Sequence, residues 1–234
     1  MRNLTAEIAA TAEKNMAKND YPSLPYIVPF ALFLLFLAAK DYIPFEYPLR
    51  VLVVATAAIL FSRKAISLRA PHALASVLLG VLVFGIWIGP DILWPAYRQH
   101  WLFHNSLIGR AQSSLPGNLR TDAVFLFFRI SGTALLVPVI EELFWRGWLM
   151  RYLISADFQK VRLGAYAPFS FWLTALLFAS EHGPYWEVGF LAGIAFNWWM
   201  MRTRSLGDCI LAHAVTNGCL AAYVIAAGQW QYWL

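Results

Sequence analysis

Apolar stretches of near membrane-crossing length recur along the whole chain, and this repetition constrains the fold more than any single motif. Seven of them lie near residues 24–43, 48–62, 72–90, 123–150, 166–182, 187–201 and 206–227, with room for an eighth. A helix that crosses the hydrocarbon core needs about 20 such residues at 1.5 Å each. Helices suit that medium because they satisfy their own backbone polar groups. The composition agrees: 60% of the 234 residues are apolar or aromatic and 13% are charged, against roughly 25% charged in ordinary soluble domains. The expected fold is therefore all-α, a polytopic integral membrane protein of about 7–8 transmembrane helices. Residues 23–234 are expected to form one transmembrane domain, leaving no room for a second.

The polar segment 1–22 mixes Arg2, Lys14 and Lys18 with Glu7, Glu13 and Asp20. It lacks the apolar core of a cleavable signal peptide, so a short cytoplasmic helix or tail is expected. With the amino terminus inside, the cytoplasmic segments hold Arg2, Lys14, Lys18, Arg63, Lys64, Arg69, Arg146, Arg151, Lys160, Arg162, Arg202 and Arg204. The outer segments hold Lys40, Arg50, Arg98, Arg110 and Arg120, and Arg129 falls within a span. Basic residues concentrate in cytoplasmic loops, so this split supports an amino terminus in the cytoplasm and seven spans. The pI of about 9.3 then follows from the loops and requires no nucleic-acid partner. Short loops and the lack of a targeting peptide suit a bacterial inner membrane. Cys209 and Cys219, both in the last apolar stretch, are expected to pack as small hydrophobes.

Against this background "VPVIEELFWRGW", residues 137–148, places two adjacent glutamates in an oily run. A carboxylate in hydrocarbon is costly unless paired, protonated or hydrated, and is by default a functional residue with a partner to be named. Arg146 lies four residues after Glu142, in the favourable acid-before-base order on one helical face. Glu141 is turned about 100° away and has no basic residue three or four positions to either side. Glu142 with Arg146 is thus expected to be a structural pair, and Glu141 is left for chemistry. "FASEHGPYW" adds His182, and "ILAHAVTNG" adds His213 and Asn217 on one helical face. Singly, each could merely hydrogen-bond a neighbouring helix. Together they supply what is needed to activate a water and hold an oxyanion. Glu141, His182 and His213 could equally provide the three ligands of a hydrolytic zinc site, although the HExxH spacing is absent. No other cofactor is suggested.

In order, "EELFWR", "FASEH" and "HAVTN" resemble the EExxxR, FxxxH and HxxxN signatures of the CAAX prenyl endoprotease and bacteriocin-processing family of intramembrane proteases. Gly147, Trp148 and the lead-in "RTRSLGDCILAHAVTN" agree, and the resemblance covers about residues 123–220. It implies membrane helices enclosing a polar catalytic cavity that opens sideways to lipid and toward the cytoplasm. By motif position, Glu141 and His182 would activate water, His213 and Asn217 would stabilise the oxyanion, and Glu142 and Arg146 would orient the others. An older view of the family makes the glutamates and histidines metal ligands. The implied partners are membrane lipid and a membrane-bound or lipidated peptide or protein substrate, with prenylation suggested by the family's name. "VPVIEELFWRGW" is also similar to a bacterial subgroup linked with exopolysaccharide and sortase-like protein sorting. A non-catalytic membrane adaptor or peptide-immunity protein is the alternative, and a transporter is disfavoured because no repeated halves are visible.

One geometric tension accompanies this assignment. Alternating spans would put Glu141 and His182 at opposite membrane faces unless the fourth helix runs on to about residue 154 and the fifth shifts or ends in a re-entrant turn at Gly183 and Pro184. Pro138 either kinks the fourth helix or is tolerated there. Arg129 is expected at the outer interface and Asn197 in an interhelical hydrogen bond, with a place on the cavity as the alternative for each. Ser205 and Asp208 are expected to cap the seventh helix, Trp198 and Trp199 to anchor at the interface, and residues 91–121 to lie along the interface as a partly amphipathic segment.

Overall fold

The computed structural model of the protein describes residues 21–43 and 45–233, so residues 1–20 of the expected cytoplasmic segment lie outside the described residues. Helices form at all seven apolar stretches: α1 (Leu24–Ala38), α2 (Glu46–Ala57, extended by a π turn over Ala58–Ser62), α3 (Ala73–Leu93), α4 (Ala123–Tyr152), α5 (Pro168–Ser180), α6 (Trp186–Thr203) and α7 (Leu206–Ala227). The protein is all-helical; among the described residues the β pairing is confined to one isolated bridge, Asn105 to Gly109. Helices α3, α4 and α7 are long and apolar enough to cross a membrane, whereas α1 and α5 are shorter apolar helices.

Hydrogen bonds at the helix ends fix their relative directions. Trp148, late in α4, donates to Ser23 ahead of α1 at 3.0 Å, and Ser62, closing α2, donates to the Pro25 carbonyl. Ser170, early in α5, donates to the Met150 carbonyl. Asp208, early in α7, holds His72 at the start of α3. Helices α1, α3, α5 and α7 therefore start at one end of the bundle, here called basal, and α2, α4 and α6 finish there. The antiparallel alternation matches the expected topology.

Ser205 caps α7, its hydroxyl accepting the Asp208 N–H at 3.2 Å. Asp208 does not share that task. Its Oδ1 accepts the His72 backbone N–H at 3.0 Å and the Ser76 hydroxyl at 3.2 Å, and its Oδ2 lies 3.0 Å from His72 Nδ1. It thus caps α3 from across the bundle, satisfying an amide that the first turn of a helix leaves free. Trp199 joins by donating to Ser76 Oγ at 3.1 Å and is buried, so only Trp198 of the expected anchor pair lies at the surface. Closer to the middle, α3 and α7 pack at Gly80, where a Cβ would collide with the Ala212 carbonyl and Val215. Small residues permit such close approach where no hydrophobic force drives helices together.

Two π turns, Gly132–Leu136 and Leu143–Leu149, interrupt α4. The first answers the question posed by Pro138. A proline inside an α-helix removes one N–H and crowds the carbonyl four residues earlier, and here the helix widens before it. The Val137 N–H bonds to the Gly132 carbonyl, five residues back. The Thr133 carbonyl loses its α partner by this shift, and its π partner would be Pro138, which has no N–H.

Helix α4 reaches Tyr152, placing Glu141 well inside it, and α5 ends at Ser180 after only 13 residues. At 1.5 Å per residue α5 is about 20 Å long, so it stops within the bundle and delivers His182 to an interior turn, followed by a 3-10 turn at Gly183–Tyr185. The separation of Glu141 and His182 expected from alternating full spans does not arise. After α3 ends at Leu93, residues 94–121 form an irregular cover with three short 3-10 turns. Arg98 anchors it, pairing with Asp91 at 2.8 Å and Glu187 at 2.7 Å and donating to the Pro184 carbonyl at 2.6 Å.

Replacing Asp208 with alanine removes the cross-bundle cap and should destabilise the fold by about 2–4 kcal/mol. Thermal unfolding in detergent measures this, and an unchanged midpoint would show that the α3–α7 junction does not need the carboxylate.

Candidate active site

The two glutamates face different surroundings, as their 100° separation requires. Glu142 is fully buried, its Oε1 accepting from Arg146 Nη1 at 3.0 Å and lying 2.9 Å from His213 Nδ1. Arg146, also fully buried, uses its remaining donors across the bundle: Nε to Asn197 Oδ1 at 3.0 Å and Nη2 to the Gly193 carbonyl at 3.3 Å. Asn197 in turn donates to the Phe171 carbonyl at 2.8 Å, the interhelical role expected for it. A planar guanidinium with five donors suits such a junction, where a point-charge lysine would leave partners unmet. Arg146 therefore belongs inside the bundle and not among the basic residues of the loops.

Glu141 turns the other way, into a chamber of about 180 Å³ whose lining also includes His182, His213 and Asn217. All four sequence-expected residues thus meet on one cavity, delivered by α4, the turn after α5, and α7. Glu141 is 7% exposed, and its Oε2 is buried without a hydrogen-bond partner among the described residues.

Each imidazole is oriented by a fixed bond on one nitrogen. His182 Nδ1 lies 2.8 Å from the Phe178 carbonyl; a carbonyl only accepts, so Nδ1 carries the proton. His213 Nδ1 likewise donates to the Glu142 carboxylate. In both rings Nε2 is left for the chamber. Phe178, the aromatic of the FxxxH pattern, explains its own spacing. Its ring lies 4.6 Å from the Arg146 guanidinium, 4.8 Å from His182 and 6.0 Å from His213, so it packs against the guanidinium and both imidazoles while its carbonyl orients one of them. Phe196 stacks on His213 at 5.1 Å, and Trp87 meets His182 edge-on at 5.1 Å.

Asn217 Nδ2 donates to the Thr133 carbonyl at 2.9 Å, the acceptor freed by the π turn and Pro138. That bond fixes the carboxamide and leaves its second N–H for a ligand. Among the described residues no three His, Cys, Asp or Glu side chains assemble closely enough to hold a metal ion. Glu141, His182 and His213 share the chamber.

Some lining residues were not singled out from the sequence. The chamber adjoins a vestibule of about 810 Å³, and Trp87, Arg129, Thr133, His182, Tyr232 and Trp233 line both. Arg129, expected to snorkel at the outer interface, instead forms part of the cavity wall. Glu181 lines the vestibule and was readable as the neighbour of His182. Tyr232 and Trp233 could not be read, because they reach the cavity only by a return of the chain after Gly228, where φ is +65°.

Lys40, Asp41, Ser114 and Pro116 also line the vestibule, so it opens at the end opposite the basal one. Two expectations therefore conflict in this structure. With the start of α1 on the cytoplasmic side, the cavity opens away from the cytoplasm.

Residues 123–219 match the family model described as Type II CAAX prenyl endopeptidase Rce1-like. No curated protein and no solved structure matches the chain.

The contrast between the two glutamates predicts opposite stability effects. Glu142→Ala strands a buried guanidinium and should cost about 3–5 kcal/mol, while Glu141→Ala removes a carboxylate with an unpartnered oxygen and should shift stability by less than about 1 kcal/mol in either direction. Parallel thermal melts decide, and equal losses would refute the division of roles.

Proposed function

We propose, from the match of residues 123–219 to the model of Rce1-like type II CAAX prenyl endopeptidases, that this protein is an intramembrane endopeptidase that cuts near the carboxyl terminus of a membrane-bound or lipid-modified peptide. The observation that carries the reading is Glu141, a carboxylate held in a chamber wall with one buried oxygen unpartnered and His182, His213 and Asn217 on the same chamber. A carboxylate without a hydrogen-bond donor is a poor structural element and a good base.

In the proposed mechanism Glu141 takes a proton from a water placed between it and His182 Nε2, and the water oxygen attacks the scissile carbonyl. The oxyanion accepts from the second N–H of Asn217 and from His213 Nε2, preorganised donors of the kind that stabilise developing charge. Donation from Nε2 requires a doubly protonated His213 ring, with Nδ1–H on Glu142, which is a reason for a buried carboxylate at that place. Glu141 then returns the proton to the departing amine. Mutating Glu141 to alanine should lower the cleavage rate of a farnesylated CAAX-type reporter by at least about 100-fold, with the wild-type rate unaffected by a strong chelator. Chelator inactivation reversed by zinc would replace this mechanism with a metal-dependent one.

We further propose that the mouth faces away from the cytoplasm. Seven exposed basic residues, Arg63, Lys64, Arg69, Lys160, Arg162, Arg202 and Arg204, belong to the basal end, against Lys40 and Arg110 at the mouth. The asymmetry has the sense that retains a bundle end in the cytoplasm. The substrate would then present its cleavable end outside. In spheroplasts, with Cys209 and Cys219 replaced by serine, a membrane-impermeant maleimide should label Asn118→Cys without permeabilisation and Ser155→Cys only after it. The reverse pattern would turn the mouth to the cytoplasm.

A further inference from the structure

Arg129, Thr133, Val137 and Glu141 all line the inner chamber, although a regular α-helix would not keep them on one face. Twelve residues at 100° each leave the last side chain about 120° from the first. The π turn at Gly132–Leu136 absorbs one extra residue, so the separation behaves as eleven residues, almost three whole turns. The distortion of α4 thus brings Arg129 and the candidate base onto one stripe, their Cα atoms about 16–18 Å apart by helical rise.

The surroundings of this guanidinium are those of a binding group and not of an ion pair. It lies between aromatic plates, 4.7 Å from the Tyr47 ring and 5.2 Å from that of Trp233. Its Nε is buried without a hydrogen-bond partner, and no ion pair forms with it among the described residues. The carboxylate of Glu46 at the vestibule wall is engaged by Arg50 at 3.2 Å and forms no ion pair with Arg129. A charge in a bundle of apolar helices without its own counter-ion is a functional feature. Stacked faces with a free edge are the geometry in which arginine grips a carboxylate through two parallel bonds.

We propose that Arg129 binds the free C-terminal carboxylate of the peptide substrate, so that the stripe from Arg129 to Glu141 measures where the chain is cut. An extended peptide advances about 3.3–3.6 Å per residue, and a span of about 16–18 Å therefore admits a released fragment of no more than about five residues. This inference rests on the protease reading and gives it a specificity: a free carboxyl terminus a short, fixed distance from the scissile bond.

The test compares a farnesylated CAAX-type reporter peptide as the free acid, as the C-terminal amide, and extended by ten residues, each bound to the full chain in detergent. Binding is measured on Glu141→Gln to prevent turnover, with and without Arg129→Gln or Arg129→Lys, and cleavage is followed in parallel on chains retaining Glu141. The acid should bind about tenfold or more tightly than the amide. That ratio should fall to near unity with Arg129→Gln and be partly kept with Arg129→Lys, and the extended peptide should not be cut at the original bond. Because the ratio is internal to each variant, a loss of folded protein does not imitate the result. Equal binding of acid and amide, no binding of the acid, or a ratio indifferent to Arg129→Gln overturns the proposal. A preserved ratio without cleavage of any peptide instead refutes the protease reading and leaves the carboxylate site standing.

Discussion

The carboxylate of Glu142 has to be satisfied before anything else in the bundle can be settled. It is fully buried, as is Arg146, and in a low-dielectric interior neither charge is tolerated without the other. The pair alone would still leave donors on the guanidinium, and these reach the Asn197 side chain and the Gly193 carbonyl of α6, while Glu142 itself receives His213 of α7. One ion pair thus ties three helices and sets the rotation of α4. With Glu142 pointed at α6 and α7, its neighbour must point elsewhere, and the chamber lies there. The pairing of Glu142 and the unpartnered oxygen of Glu141 are two consequences of one constraint.

Irregular backbone then tunes what that rotation provides. Pro138 and the π turn before it leave the Thr133 carbonyl without a helical partner, and Asn217 fills the gap. In hydrocarbon such a carbonyl would be expensive if exposed; against a polar chamber it becomes the hook that fixes a carboxamide. The same turn restores Arg129 to the face of Glu141. A helix free of proline would lose both effects, so the distortion belongs to the site and not to some relaxed part of the fold.

The cover over the mouth follows similar logic. Arg98 satisfies Asp91 and Glu187 and holds the Pro184 carbonyl, two residues from His182. The short α5 brings His182 into the interior, and this clamp holds the turn that follows it. Its carboxylates lie on the ends of α3 and α6, so one guanidinium ties the cover to the turn and to two helices.

Much of this was legible in the sequence. Recurrent apolar length dictated an all-helical membrane protein, and the i, i+4 spacing of Glu142 and Arg146 separated the paired glutamate from the free one. Asn197 in an interhelical bond followed from a lone carboxamide in an oily run. These readings hold because they depend on local geometry and on the cost of unsatisfied polar groups, which operate within a single segment. Other features required the folded chain. Arg129 looked like an interface residue because helical period alone misplaces it, Asp208 looked like a local cap because its partners at His72 and Ser76 are remote in sequence, and Tyr232 and Trp233 enter the cavity only after the chain reverses. The end at which the cavity opens depends on how seven helices stack and where α5 stops, and no segment carries that information. Burial costs are written in the local sequence; which distant groups relieve them is decided only in three dimensions.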